Sequence, residues 1–188
     1  MRGRKLRKNY FKYISIILFL AYITITNIHA GSDGYDAKVK FLPDSKLLDS
    51  MVEDILKSEK NIYCSIYMFK TTDNTYQKST LIQEAMFKAL KNNVKVFIVM
   101  DLGKSDEITT EYNKETAEEL IEKGATVVFD SPNKRLHTKL MVIDEKIVYI
   151  GSHNYTHSAL KYNHEATARI VSGDFAKEVI NYIKSIVR

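Results

Sequence analysis

The chain has 188 residues, 45% hydrophobic and 27% charged, a globular composition that excludes a disordered or fibrous protein. Two prolines and seven glycines exclude collagen-like and low-complexity sequence, and a single cysteine excludes a disulfide framework or a cysteine-based zinc site. The net charge of +5 misleads, because residues 1–30 hold six of the 28 basic side chains and none of the 23 acidic ones; the remainder carries −1, so any polyanion site must be a local patch.

Residues 1–12 are basic, and residues 13–30 (YISIILFLAYITITNIHA) carry no formal charge apart from a protonatable His29. This is the layout of an export signal, either cleaved after Ala30 or retained as a membrane anchor. The uncharged run from Tyr13 to Ser32 reaches the ~20 residues that a spanning helix needs. In both readings the basic end stays in the cytoplasm and residues 31–188 are exported, periplasmic or extracellular or tethered outside the inner membrane.

Residues 31–36 read as a linker and 37–188 as one domain. A strand is predicted over 37–43, with Val39 and Phe41 on one face. Asp44 or Ser45 then caps a helix with Leu47, Leu48, Met51, Val52, Ile55 and Leu56 at helical spacing. Residues 61–69 and 94–102 read as strands, the second apolar enough to be buried on both faces, with an amphipathic helix over 81–92 between them. Residues 71–80 and 103–113 read as polar loops. A helix over 114–124 ends at Gly124, and 125–130 is a strand. Residues 136–144 and 146–152 form a predicted hairpin turning at Asp144 and Glu145, followed by a strand over 164–171 and a helix over 173–188. This order predicts an α/β fold, an α-β-α sandwich around one mixed, mostly parallel sheet.

The chemistry concentrates in His137-Thr138-Lys139-Leu140-Met141-Val142-Ile143-Asp144 and, six residues later, Gly151-Ser152-His153-Asn154. Side chains alternate along a strand, so His137 and Lys139 share a face about 7 Å apart and can address one phosphate. The imidazole attacks phosphorus and the ammonium neutralises the oxygens. The hairpin returns Ser152 and Asn154 beside His137. There Asn154 donates a second hydrogen bond to the phosphate, and the Ser152 hydroxyl holds a ring nitrogen or the phosphate.

HxKxxxxD followed after six residues by GSxN resembles the HKD motif of the phospholipase D superfamily, present once, and the strand-helix alternation of residues 37–188 is similar to that fold. The chain resembles the small single-motif bacterial Nuc-type endonucleases of the superfamily and its mitochondrial single-motif members. The resemblance implies that His137 is the nucleophile of a phosphohistidine intermediate and that Lys139 and Asn154 clamp the phosphate. It also implies a supporting hydroxyl at Ser152 and a carboxylate at Glu165 that hydrogen-bonds the histidine and fixes its tautomer. Gly151 and Asp144 belong to the motif, and Asp144 is expected to accept backbone hydrogen bonds at the turn rather than to catalyse. No cofactor and no metal are implied. One motif supplies one histidine, whereas the reaction needs a nucleophile and an acid. A two-fold homodimer with both His137 rings in one site is therefore expected.

His153 and His157 have i,i+4 spacing but fall in a predicted loop, and they read as exposed rim residues rather than metal ligands. Cys64 reads as a small core side chain. Tyr155 either lines the site mouth as a platform for a base or packs in the core. Lys134, Arg135, Lys146 and Lys161 flank the motif as a solvated basic face or a polyanion track. Three functions fit: an exported or anchored endonuclease of low specificity, a phospholipase D or cardiolipin-type lipid hydrolase, and a non-catalytic nucleic-acid-binding or uptake component. The polar loops 71–80 and 103–113 offer no apolar insertion for acyl chains, which favours nucleic acid over phospholipid. The intact His, Lys, Ser, Asn and Glu set disfavours the third.

Overall fold

A computed structural model describes residues 34–72, 76–103 and 108–187; the leader over 1–30 lies outside the described residues. The chain divides into two units, Met1–Tyr35 and Asp36–Arg188, and every element below belongs to the second. In chain order these are β1 (Lys38–Pro43), α1 (Lys46–Leu56), β2 (Asn61–Ile66), α2 (Lys78–Lys91), β3 (Lys95–Met100), α3 (Ile108–Glu122) and β4 (Thr126–Phe129). They continue with β5 (Lys139–Ile143), β6 (Ile147–Gly151), α4 (His157–Lys161), β7 (Ala166–Val171) and α5 (Gly173–Ser185).

The strands form one seven-stranded sheet in the order β1-β7-β6-β5-β2-β3-β4. It is mixed, as expected, but mostly antiparallel rather than mostly parallel. Only β2–β3 and β3–β4 pair in parallel, joined by the crossover helices α2 and α3. The reason is an insertion. β1 and β2 are linked by α1 as a crossover would require, yet the meander β5-β6-β7 lies between them and contributes antiparallel pairings on every side.

Helices cover both faces unequally. Leu47, Leu48, Met51 and Ile55 of α1 and Ile82, Ala85, Met86 and Ala89 of α2 recur at helical spacing and bury against Ile62, Cys64, Ile66, Ile98, Met100, Met141 and Ile143. On the other face α5 alone packs Ala176, Val179, Ile180 and Ile183 onto Val99, Leu140, Val142 and Val148. The central strand β5 is buried at all five positions, because helices cover it from both sides. At the sheet edge β1 has no such cover, and Val39 and Phe41 are 64% and 67% exposed.

Two helices depart from expectation. α3 begins at Ile108, inside the stretch read as a loop, because its buried face is polar: Thr109, Thr110, Asn113 and Thr116 are all buried. Apolar periodicity cannot reveal such a helix. The other is α4, a single turn capped by the Thr156 hydroxyl, which accepts from the Ala159 amide at 3.3 Å.

The β5–β6 hairpin turns at Asp144 and Glu145, whose φ values of 53° and 55° and Lys146 N–H···O=C Ile143 bond of 3.1 Å mark a type I′ turn. The Asp144 carboxylate also reaches across the sheet end. Its oxygens accept the amides of Glu59, Lys60 and Asn61 at 2.9, 2.8 and 3.1 Å, tying the α1–β2 connection to the hairpin. Asp144→Ala is expected to lower the unfolding free energy by about 0.5–1.5 kcal/mol, the net worth of hydrogen bonds to amides that water can partly replace. Urea titration reads this, and an unchanged midpoint would remove Asp144 from its structural role.

Candidate active site

Because β5 and β6 run antiparallel with Leu140 opposite Ile150, the start of β5 and the end of β6 lie side by side. β7 begins beside them, as the Ser152 amide donates to the Ala166 carbonyl at 2.9 Å. One end of the sheet therefore gathers His137, Lys139, Ser152, Asn154 and Glu165. Gly151 makes this approach possible. A Cβ there would lie 2.2 Å from Thr167 Oγ1 and 2.3 Å from the Ala166 carbonyl oxygen, closer than any side chain tolerates.

His137 precedes β5 and is exposed, whereas Lys139 opens β5 with a buried side chain whose Nζ donates to the His137 carbonyl at 2.9 Å. Burial pulls the Lys139 ammonium below the ordinary lysine range, and the nearby Glu165 and Asp101 carboxylates push it back up. Asn154 is half-buried, and its amide oxygen is enclosed without a hydrogen-bond partner. The cluster can therefore offer one exposed imidazole, one ammonium and one carboxamide to a tetrahedral anion.

Glu165 is held differently from the expectation that it bonds His137. Its Oε2 accepts from the Ser152 hydroxyl, its Oε1 accepts from Asn163 Nδ2 at 3.2 Å, and its backbone pairs with Asp44 in both directions at 2.9 Å. The topology explains this. β7 pairs with β6 and β6 with β5, so Ser152 stands between Glu165 and His137. Ser152 Oγ also accepts the Ala166 amide at 3.1 Å, and its proton goes to Glu165.

Tyr155 packs in the core rather than at the mouth. Its ring is 2% exposed and meets Phe69 edge-on at 5.2 Å, so no face remains for a base. Its backbone instead pins the segment after β2, donating to Met68 O at 3.0 Å and accepting from the Lys70 amide at 2.9 Å. His153 is likewise no rim residue. It is 1% exposed, with Nδ1 2.7 Å from Thr167 Oγ1 and Nε2 2.9 Å from the Asp44 carbonyl oxygen. His157 opens α4, and its Nδ1 accepts the Lys78 amide at 3.1 Å at the start of α2. Cys64 is buried, which pushes its thiol up to about 12.

The basic stretch divides. Lys134 and Arg135 line a cavity of about 260 Å³ whose walls mix charged and apolar side chains, with Asp130, Leu136, His137 and Ile186 among them. Lys146 lies in the hairpin turn at the opposite end of the sheet, and Lys161 sits on α4 with Nζ 4.8 Å from the Tyr162 ring. On the other side of His137 is an apolar cleft of about 370 Å³, lined by Leu140, Ile150, Phe175, Val179 and Tyr182. No loop insertion builds it; the sheet and α5 do. Sequence reasoning also missed Tyr67, whose ring packs on His137, and the buried Asp101, whose Oδ1 accepts the Leu136 amide at 2.7 Å. No spacing rule connects either residue to the motif.

Residues 51–187 match the family described as cardiolipin synthase, PLD-like domain. The chain belongs to this phospholipase D-like family, whose members hydrolyse or transfer phosphodiesters. It is 24% identical over 160 residues to a cardiolipin synthase of Clostridium perfringens, covering 78% of this chain and 32% of the relative. It is 30% identical over 125 residues to a phospholipase D of Rickettsia prowazekii, covering 66% of this chain and 55% of the relative. The chain thus spans about a third and about half the length of these two curated relatives. Its fold is similar to that of Nuc, a phospholipase D family member from Salmonella typhimurium. The TM-score is 0.68 at 20% identity, over 80% of this chain and 94% of that one.

Removing the Glu165 charge should lower the Lys139 pKa further, since that carboxylate works against burial. In Glu165→Gln, Lys139 should lose its proton at lower pH than in wild type, followed by NMR at its side-chain nitrogen. A shift the other way would mean that the two charges do not share a field.

Proposed function

We propose that this protein is a phosphodiesterase that works through a phosphohistidine at His137, acting on nucleic acid as an endonuclease of low sequence specificity. The observation that carries this reading is the convergence of an exposed His137, the Lys139 ammonium and the Asn154 carboxamide at one sheet end. Beside them lies a cavity that bears the cations Lys134 and Arg135, which suit a chain of phosphates. An imidazole nitrogen attacks phosphorus, a P–N bond forms, and the bond to the leaving oxygen breaks. Lys139 and Asn154 stabilise the equatorial oxygens as charge builds. The leaving oxygen takes a proton from an acid. Water, deprotonated by the same group, then attacks phosphorus and releases His137.

The acid is proposed to be His137 of a second copy, in a two-fold dimer with one shared site. Two features support it: the motif occurs once, and Val39 and Phe41 leave an exposed apolar strip on the sheet face that α5 covers only in part. Residues 1–30 are proposed to export the domain or to anchor it outside the membrane. A second reading, hydrolysis of a phospholipid head group, is favoured by the apolar cleft beside His137, whose walls suit a glyceride arm.

Residues 31–188 should cleave labelled single- or double-stranded DNA in EDTA, and His137→Asn should not. Failure of wild type on DNA together with release of head groups from phospholipid vesicles would transfer the assignment to the second reading. Inactivity on both would end the phosphodiesterase proposal. Wild type should sediment as a dimer, and Phe41→Glu should sediment as a monomer with strongly reduced turnover. A fully active wild-type monomer would refute the shared site.

A further inference from the structure

Tyr67 lies just past β2, and its backbone is tied on both sides. Its amide donates to the Thr138 carbonyl at 3.0 Å, between the two motif residues His137 and Lys139. Its carbonyl accepts from Asn113 Nδ2 at 2.9 Å. Asn113, fully buried on α3, uses the same nitrogen to reach the Asp101 carbonyl at 3.0 Å, and its Oδ1 accepts the Phe69 amide at 2.9 Å. One buried carboxamide therefore fixes the ends of β2 and β3 together, and with them the base of the Tyr67 side chain.

The half-buried Tyr67 ring stands against the His137 imidazole, with centroids 4.8 Å apart and planes at 56°. Lys139 Nζ lies 5.1 Å from the same ring centre and the Arg135 guanidinium 5.8 Å. Both distances are within the range at which a ring quadrupole attracts a cation. His137 lies before β5 rather than within it and is exposed, while the buried Leu136 holds the chain just ahead of it. Tyr67 is the aromatic wall that faces it.

We propose that Tyr67 is a positioning residue of the active site. Its ring fixes the orientation of the His137 imidazole toward the phosphate and holds the Lys139 ammonium beside it. The role rests on the phosphodiesterase reading above. It requires the ring and not the hydroxyl, because both contacts are made to the π system.

The test uses residues 31–188 with DNA and a simple aryl phosphodiester as substrates. Tyr67→Phe should keep kcat within about twofold. Tyr67→Leu should lose about tenfold or more in kcat on both substrates with little change in KM, because orientation acts on the chemical step. Tyr67→Met, which keeps bulk without a ring, carries the same expectation should the leucine variant not fold. A purely structural role would lower thermal stability and leave the kcat of the folded enzyme unchanged. NMR supplies a readout independent of turnover. The His137 ring protons should keep their wild-type shifts in Tyr67→Phe and move in Tyr67→Leu, as the ring current is lost. Turnover that survives Tyr67→Leu, or a phenylalanine variant as impaired as the leucine one, overturns the proposal. A wild-type enzyme inert on DNA, on the aryl phosphodiester and on phospholipid vesicles removes the phosphodiesterase reading and this role with it, even where the ring-proton shifts behave as expected.

Discussion

The close approach of β6 and β7 at Gly151 is the constraint on which the site depends. Without a side chain at that position the Thr167 backbone and hydroxyl occupy the space a Cβ would need. β7 can then begin directly beside the end of β6, and Ser152 can exchange hydrogen bonds with Glu165 and Ala166. The same hairpin that delivers Ser152 and Asn154 starts at Lys139 and turns at Asp144. Two distant parts of the motif are thus one rigid unit. Asp144 fastens its far end to the α1–β2 connection, and Asp44 fastens its near end, bonding the Glu165 backbone and receiving His153 Nε2. His153, alternating with two residues of the site, turns inward as a buried strut while its neighbours point outward.

The organisation of the fold was legible wherever apolar spacing reports burial. Seven strands and the principal helices stand in the expected order, and the turn at Asp144 and Glu145 is where the chain reverses. Sheet order was not legible, because nothing local records that β5-β6-β7 enters between β1 and β2. The start of α3 was hidden for a different reason. Asn113 and Thr116 bury polar atoms by bonding the backbone of residues 67–71, and a hydropathy pattern reads such residues as loop. His153 was misplaced by the same ambiguity in reverse, and Tyr155 resolves to the core, the packing alternative. Adjacent to a motif, a polar residue such as His153 reads as surface, yet it has buried partners here.

Glu165 shows how topology limits what a motif can convey. Its distance in sequence from His137 allows a direct bond, but strand order interposes Ser152, and the carboxylate takes that hydroxyl instead. Its charge still reaches the site through Lys139. That ammonium sits where water is largely excluded, a position that favours the neutral amine, and two carboxylates compensate from different strands. Asp101 contributes from the end of β3 while its Oδ1 also orders the chain at Leu136, immediately before His137. The residues that act against burial at Lys139 thus come from two separate segments and also order the chain around it.

His137 lies on the wall shared by two cavities that differ in their charged lining. Asp130, Lys134 and Arg135 stand with Leu136 and Ile186 in one; Leu140, Ile150, Phe175 and Val179 dominate the other, and the shared wall carries His137, Thr138 and Tyr182. The asymmetry follows from the covering of the sheet. Among the described residues α1, α2 and α3 close one face, whereas α5 is the one helix on the other and leaves Val39 and Phe41 of β1 exposed.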